Sequence, residues 1–530
     1  MEPGRPVADP NGVRDRQMVE NVPFSRPLDT LTQAIEPASQ PVIPATVSLL
    51  LFALLASSAP AASDPRDWGA TLRMDAQALH DEIKANHPGP VNAADPGFEK
   101  RNDAQLARAL KRAKSAKTFA DYFYAMQEYT ASFNDGHMSY GVFGATPDQV
   151  RRWPGFLTRY DGNGKQVVFV SEPWSGVPKG ARLVSCDGLS ADQVATKRIG
   201  SRFGRWKLES QRVTFGAMTF LDTGDRYVGT INRCRFAVGG KTIDVALDWR
   251  APETNLYTAY DVFPKHGKPT SQWRRLADGT QWFSIPSFDG NPDGDAGKSL
   301  RSLIDYIQTN GDQVRSAPAI VFDLRGNGGG SSDWSYQIAK QLWGEGTIEA
   351  HPEPPMTVSW RASPGNLEDI RKGYEERSKG GHLAPEVADW FKQTIAGLDK
   401  TIARHKALWV IPPGPDEDNA KSGPKPEYAL AGPVYVLTDA SCMSACLDAV
   451  DLWTRLGAIP IGHETGADTL YMEVRMIKLP AGVGGVSMPM KVYSGRARAS
   501  NQPVVPRYRF DGDIADTAAV ERWVATLPKR

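Results

Sequence analysis

Residues 432–450 read GPVYVLTDASCMSACLDAV. The apolar run Val-Tyr-Val-Leu has the continuous hydrophobicity of a strand buried on both faces, as in a parallel sheet. Thr438-Asp439 ends it, and a helical pattern begins after Ser444. A second segment, APAIVFDLRGNGGGSSDW at 317–334, repeats the order strand, loop, helix. Two such units predict an α/β core. Its loops emerge together at the carboxyl edge of the sheet, where sites assemble. Glycines at 326, 328, 329 and 330 free the first loop to turn sharply and to present backbone N–H groups.

The mixed pattern starts near 253. QWFSIPSF (281–288) predicts a strand and GKSLRSLIDYIQTN (297–310) an amphipathic helix. Residues 345–430 interrupt the rhythm with the proline-rich stretches HPEPPM and IPPGPDEDNAKSGPKPEY, around the helical piece EVADWFKQTIAGLDKTIARHKAL. This reads as an insertion, a lid or a partner surface. The core resumes at GPVYVLTD and runs through the strand AIPIG, further strands to Val492, and a helix near 514–527.

Towards the amino end, residues 64–140 predict helices, with Thr118 as an N-cap for TFADYFYAMQEYTASF. Residues 155–250 change character. KQVVFVSE, QRVTFGAMTF, DRYVGTINRCRFAV and KTIDVALDW predict strands of a small, mainly β module with one helix near SADQVATKRI. The four divisions are thus 1–62, 64–140, 155–250 and 253–530.

The first of these contains ATVSLLLFALLASSAPAAS (45–63), whose apolar core of about ten residues is too short to span a bilayer. Ala59-Pro60-Ala61 follows in an A-x-A arrangement, so the segment reads as a signal peptide cleaved near Ala61 or Ala62. The expectation is export to a periplasmic or secreted location, with the start codon lying downstream of Met1. An oxidising compartment permits disulfides, Cys186 with Cys234 and Cys442 with Cys446. A four-residue spacing inside a regular helix strains the second pairing. A four-cysteine zinc site is the lesser alternative, since the chain lacks tight C-x-x-C pairs.

The 530 residues are 41% hydrophobic and 23% charged, with a formal net charge of +1. That leaves no electrostatic case for nucleic acid or an anionic membrane as partner. Ser331 stands where G-x-G-x-x-G needs glycine, and no G-K-[ST] follows, so neither phosphate motif is present. What remains for the glycine loop is a tight turn, or N–H groups aimed at a developing oxyanion, with the N–H of Ala445 as a second donor. A serine nucleophile at 444 needs a base. His137, in FNDGHMSYG, and His463, in IPIGHETGAD, both lie in loop settings that suit one. Neither H-E-x-x-H nor G-x-S-x-G occurs, against a zincin and an ordinary α/β-hydrolase esterase.

VFDLRGNGGG, followed about 115 residues later by VLTDASCMSACLD, resembles the tail-specific, or C-terminal processing, serine peptidase family. FNDGHMSYG is similar to the D-G-H segment of its tricorn-core-like branch, IPIGHETGA to the stretch after the serine helix, and LHDEIKANHPG to that branch's N-terminal region. The resemblance implies a crotonase/ClpP-like α/β core, and QVVFVSEPWSGVPKGARLVSCDG weakly resembles a PDZ module. It implies Ser444 as nucleophile, His137 as base, and the N–H groups of Ala445 and Gly329, with Gly328 a close second, as oxyanion donors. Peptides or unfolded protein tails would be substrates, with no metal or organic cofactor. The lysine-dyad position holds Thr469, which disfavours a Ser-Lys pair, and Asn501 stands near the place of the branch's late glutamate. The residue that orients His137 is therefore open among Asn501, Glu464 and Asp135. The alternatives are an inactive peptide-binding homologue, or a hydrolase of non-peptide esters.

Overall fold

The computed structural model describes residues 66–144, 149–161, 164–263, 270–291, 293–379, 385–412 and 427–529. The expected signal segment and start lie outside them, as does much of the proline-rich stretch after Ile411.

The sheet expected from the two strand–loop–helix units has six strands. In order they are Tyr508–Arg509, Ile459–Gly462, Val434–Thr438, Ile320–Asp323, Gln281–Ser284 and Gln272–Arg275. The first five run parallel and only the last pair is antiparallel. Ile320–Asp323 and Val434–Thr438 are buried at every position, as their continuous hydrophobicity requires. Helices cover both faces. Asp295–Thr309, Asp333–Trp343 and Ala445–Arg455 pack on one around Phe322, Ile338 and Trp453. Thr517–Val524 packs on the other against Trp282, Val321 and Tyr435.

The amino-terminal helices Trp68–Asn86, Phe98–Ala113 and Phe119–Ala131 share an aromatic-rich core with Tyr140, Tyr471, Val486 and Met488. Thr118 caps the third as expected, in a reciprocal capping box with Asp121. The chain then enters the strand Ser139–Val142, which pairs with Gly484–Ser494. The same antiparallel sheet contains Tyr471–Lys478, Thr357–Arg361 and Leu408–Val410. The stretch expected as an insertion thus adds strands to a shared sheet. Its helical part is a pair, Pro364–Lys379 and Pro385–Ala403, packed through Trp360, Trp390 and Phe391.

Residues 156–246 form a third, antiparallel sheet with Cys186 and Cys234 in register and bonded to each other. One expected strand is not a strand: QRVTFGAMTF falls in the helix Glu209–Phe215 and the 3-10 turn Gly216–Phe220. Its β-branched and aromatic residues fit a strand by propensity, but Phe215, Met218 and Leu221 cluster with Trp153, Leu157 and Trp206, and burial overrides propensity. Among the described residues no helix is long and apolar enough to cross a membrane.

Candidate active site

The adjacency of two parallel strands builds the site. Leu324 N–H donates to Leu437 O at 2.8 Å, and Gly326 N–H to the Asp439 carboxylate at 3.1 Å, so the glycine loop and the serine loop leave the sheet side by side. The fully buried Asn327 shapes the first loop. Its Nδ2 donates to Ile285 O at 2.9 Å, and its Oδ1 accepts the N–H of Gly329 at 2.9 Å. Gly329 has φ +104°, and a methyl carbon there would stand 2.7 Å from Met443 O and 2.8 Å from Ser444 Cβ. The glycine backbone therefore lies directly against the serine.

Ser444 is half-buried at the N-cap of the helix Ala445–Arg455, with φ 53° and ψ −128°. Side chains seldom occupy that region, and holding one there costs about 1–3 kcal/mol, supplied by the surroundings. Leu447 N–H donates to Ser444 O at 2.8 Å, and Ser444 N–H to Asp468 Oδ1 at 3.3 Å. Cys442 and Cys446 close a disulfide across it, with Cα atoms 5.3 Å apart. The strain expected of that spacing does not arise, because the helix begins at Ala445 and Cys442 lies in the loop. No cysteine among the described residues is free, and no group of three His, Cys, Asp or Glu is placed to hold a metal ion.

The oxyanion candidates separate. The N–H of Gly329 is taken by Asn327. Among the described residues those of Gly328 and Ala445 have no acceptor, and Ala445 opens a helix whose dipole favours negative charge.

His137 lies in the turn between the helix Phe119–Ala131 and the strand Ser139–Val142. Its N–H donates to Asp135 Oδ1 at 2.8 Å, and its carbonyl accepts from Ser487 Oγ at 3.0 Å. The ring is 16% exposed, with Nδ1 3.7 Å from Asp135 Oδ1, an ion-pair separation longer than a hydrogen bond. Burial disfavours a charged ring, but the Asp135 and Asp468 carboxylates outweigh burial and the opposing Arg205, and hold the imidazole's pKa above its ordinary 6.5. Burial would raise the Asp135 carboxyl, yet His137 keeps it below the usual carboxylate range.

The other candidates are placed differently. Asn501 Nδ2 donates to Asn134 O at 2.8 Å, and its N–H to Asp468 O at 2.7 Å, so it ties two loops together. Its Oδ1 is buried without a hydrogen bond among the described residues. Glu464 accepts the N–H of Glu209 at 3.3 Å, and burial raises its carboxyl. His463 binds Phe510 O through Nε2 at 2.9 Å, and burial lowers its pKa. Of the three orienting candidates only Asp135 makes an ion contact with the His137 ring. Arg205 and Asp468 were not anticipated. Arg205 is 8% exposed, its Nη1 donates to Ala467 O at 2.8 Å, and its guanidinium lies where a Cβ on Gly136 would stand 2.6 Å from Nη1. Both join the site through tertiary contacts far apart in the chain, with no local signal.

Residues 282–494 match the family model Peptidase family S41. The crystal structure of mature CPAF superposes with a TM-score of 0.55 at 14% identity, over 86% of this chain and 96% of that one. The structure of mature CPAF complexed with lactacystin gives 0.55 and 14%, over 86% and 97%. At this identity the likeness is one of fold. A sequence comparison with curated proteins gave no match.

Proposed function

Because residues 282–494 match the model of peptidase family S41, we propose that the chain is an exported serine peptidase with Ser444 as nucleophile and His137 as general base. One observation carries the reading. The Gly329 backbone abuts Ser444, and two N–H groups beside the serine, Gly328 and Ala445, are without acceptors among the described residues.

His137 takes the Ser444 hydroxyl proton as Oγ attacks a peptide carbonyl. The oxyanion accepts from Ala445 N–H and Gly328 N–H, with Gly329 as the wall that keeps the pocket tight. The imidazolium then protonates the leaving amine. Water, deprotonated by the same imidazole, releases the acyl group. Asp135 steadies the imidazolium from within its own turn. Peptides and unfolded protein tails are the substrates this assigns, cleaved without metal or organic cofactor.

A second reading, an inactive peptide-binding homologue, draws on Asn501, which carries no charge and does not contact the His137 ring. Lactacystin, found on mature CPAF, supplies a probe. On the peptidase reading the chain gains the mass of a lactacystin-derived adduct, and Ser444→Ala does not. An unmodified wild-type chain that also fails to cleave peptides favours the binding reading.

A further inference from the structure

Asp468 stands beside the serine, in a segment tied to the His137 turn. It is 2% exposed, and its Oδ1 accepts the Ser444 N–H at 3.3 Å. Its Oδ2 is buried with no hydrogen bond among the described residues. Two residues strap its segment to the His137 turn. Asn501 joins Asp468 O to Asn134 O, and Arg205 joins Ala467 O to the face of Gly136.

We infer that Asp468 is a positioning residue for the reaction. Through Oδ1 it holds the Ser444 backbone in its left-handed φ, and through Oδ2 it supplies negative charge that steadies protonated His137. The inference rests on the serine–histidine reading above.

Asp468 also acts on the guanidiniums of Arg205 and Arg496, and it lies 3.9 Å from Nη1 of Arg498. That cation already has Asp451 at 3.1 Å and Asp448 at 4.0 Å, so Asp468 is not needed for it. Asp448 in turn is held by Arg496 at 2.9 Å and by the Ser332 hydroxyl at 2.7 Å. Among the charged groups acting on the His137 ring, Asp135 and Asp468 favour the charged form and Arg205 opposes it. The balance favours imidazolium, the form created in the transition state. Asp135 alone divides its Oδ1 between the ring and the His137 N–H. Asn501, which ties the two segments together, carries no charge. Asp468 thus supplies a carboxylate from a different point in the chain.

The test separates charge from shape. Asp468→Asn keeps an acceptor for the Ser444 N–H and removes the charge; Asp468→Ala removes both; Asp468→Glu restores the charge. The His137 imidazole is titrated by NMR in a Ser444→Ala background with and without Asp468→Asn, and kcat and KM are measured in the Ser444 protein. Thermal unfolding confirms that each variant folds. The expected result is a lower His137 pKa in Asp468→Asn and a kcat reduced on the order of 10- to 100-fold, with KM within about twofold. Asp468→Ala falls further and Asp468→Glu recovers part of the loss. An unmoved His137 titration with wild-type kcat in a folded Asp468→Asn protein overturns the inference. Wild-type turnover in Ser444→Ala alone instead removes the serine–histidine reading, and the titration still decides whether Asp468 acts on the ring.

Discussion

Gly329 has no room for a side chain beside Ser444: a methyl carbon on Gly329 would stand 2.8 Å from Ser444 Cβ, at a φ of +104°. Both the space and the backbone conformation therefore demand glycine. Gly329→Ala is expected to push Ser444 and Met443 apart. Stability should fall by about 1–3 kcal/mol. Turnover should fall on the order of 10²-fold, as when an oxyanion donor is lost. Urea unfolding and peptide turnover check this together. Unchanged turnover would remove the glycine loop from the site.

The acid limb of kcat/KM reports His137. A general base works when neutral, and the two carboxylates hold this imidazole above 6.5, so the rate should rise with pH through a midpoint above that value. Asp135 is the strongest raising influence, and Asp135→Asn should move the midpoint to lower pH. The linkage sign agrees. The raised pKa contributes stability that is fully present below 6.5 and is lost as pH rises through the folded value. A midpoint below 6.5 in the wild-type protein would show that the carboxylates do not govern the ring.

The two disulfides should divide their labour. Cys186–Cys234 spans 48 positions and Cys442–Cys446 only 4. Loop-closure entropy then assigns about 4 kcal/mol to the first and about 2 kcal/mol to the second. Replacing the first pair by alanine should cost more stability. Replacing the second should cost more activity, because it frees the loop that holds Ser444 in its left-handed conformation. Parallel unfolding and turnover measurements on the two double mutants test the division. The reverse ranking would contradict it.

The sheet was legible because its strands carry their burial in their composition: Ile320–Asp323 and Val434–Thr438 are apolar at nearly every position and covered on both faces. Ser444 and the glycines were legible because chemistry and turn geometry mark them locally. The helix Glu209–Phe215 was not, since its β-branched and aromatic residues suit a strand and only packing against Trp153 and Trp206 decides otherwise. Nor was the hydrogen bond that occupies the Gly329 N–H, which depends on where the Asn327 carboxamide points. Arg205 reaches Ala467 across 262 positions, and nothing near either residue announces the contact. His137 gave only a turn-borne histidine by itself, and resemblance singled it out from His463, whose ring the structure commits to Phe510.

The most direct test of the central claim is peptide cleavage by the purified chain beside Ser444→Ala. A mixture of unstructured peptides is incubated with each protein and the products are read by mass spectrometry. Defined cleavage by the wild-type chain is expected, reduced by at least about 10³-fold in Ser444→Ala. Cleavage by Ser444→Ala at the wild-type rate would contradict the claim.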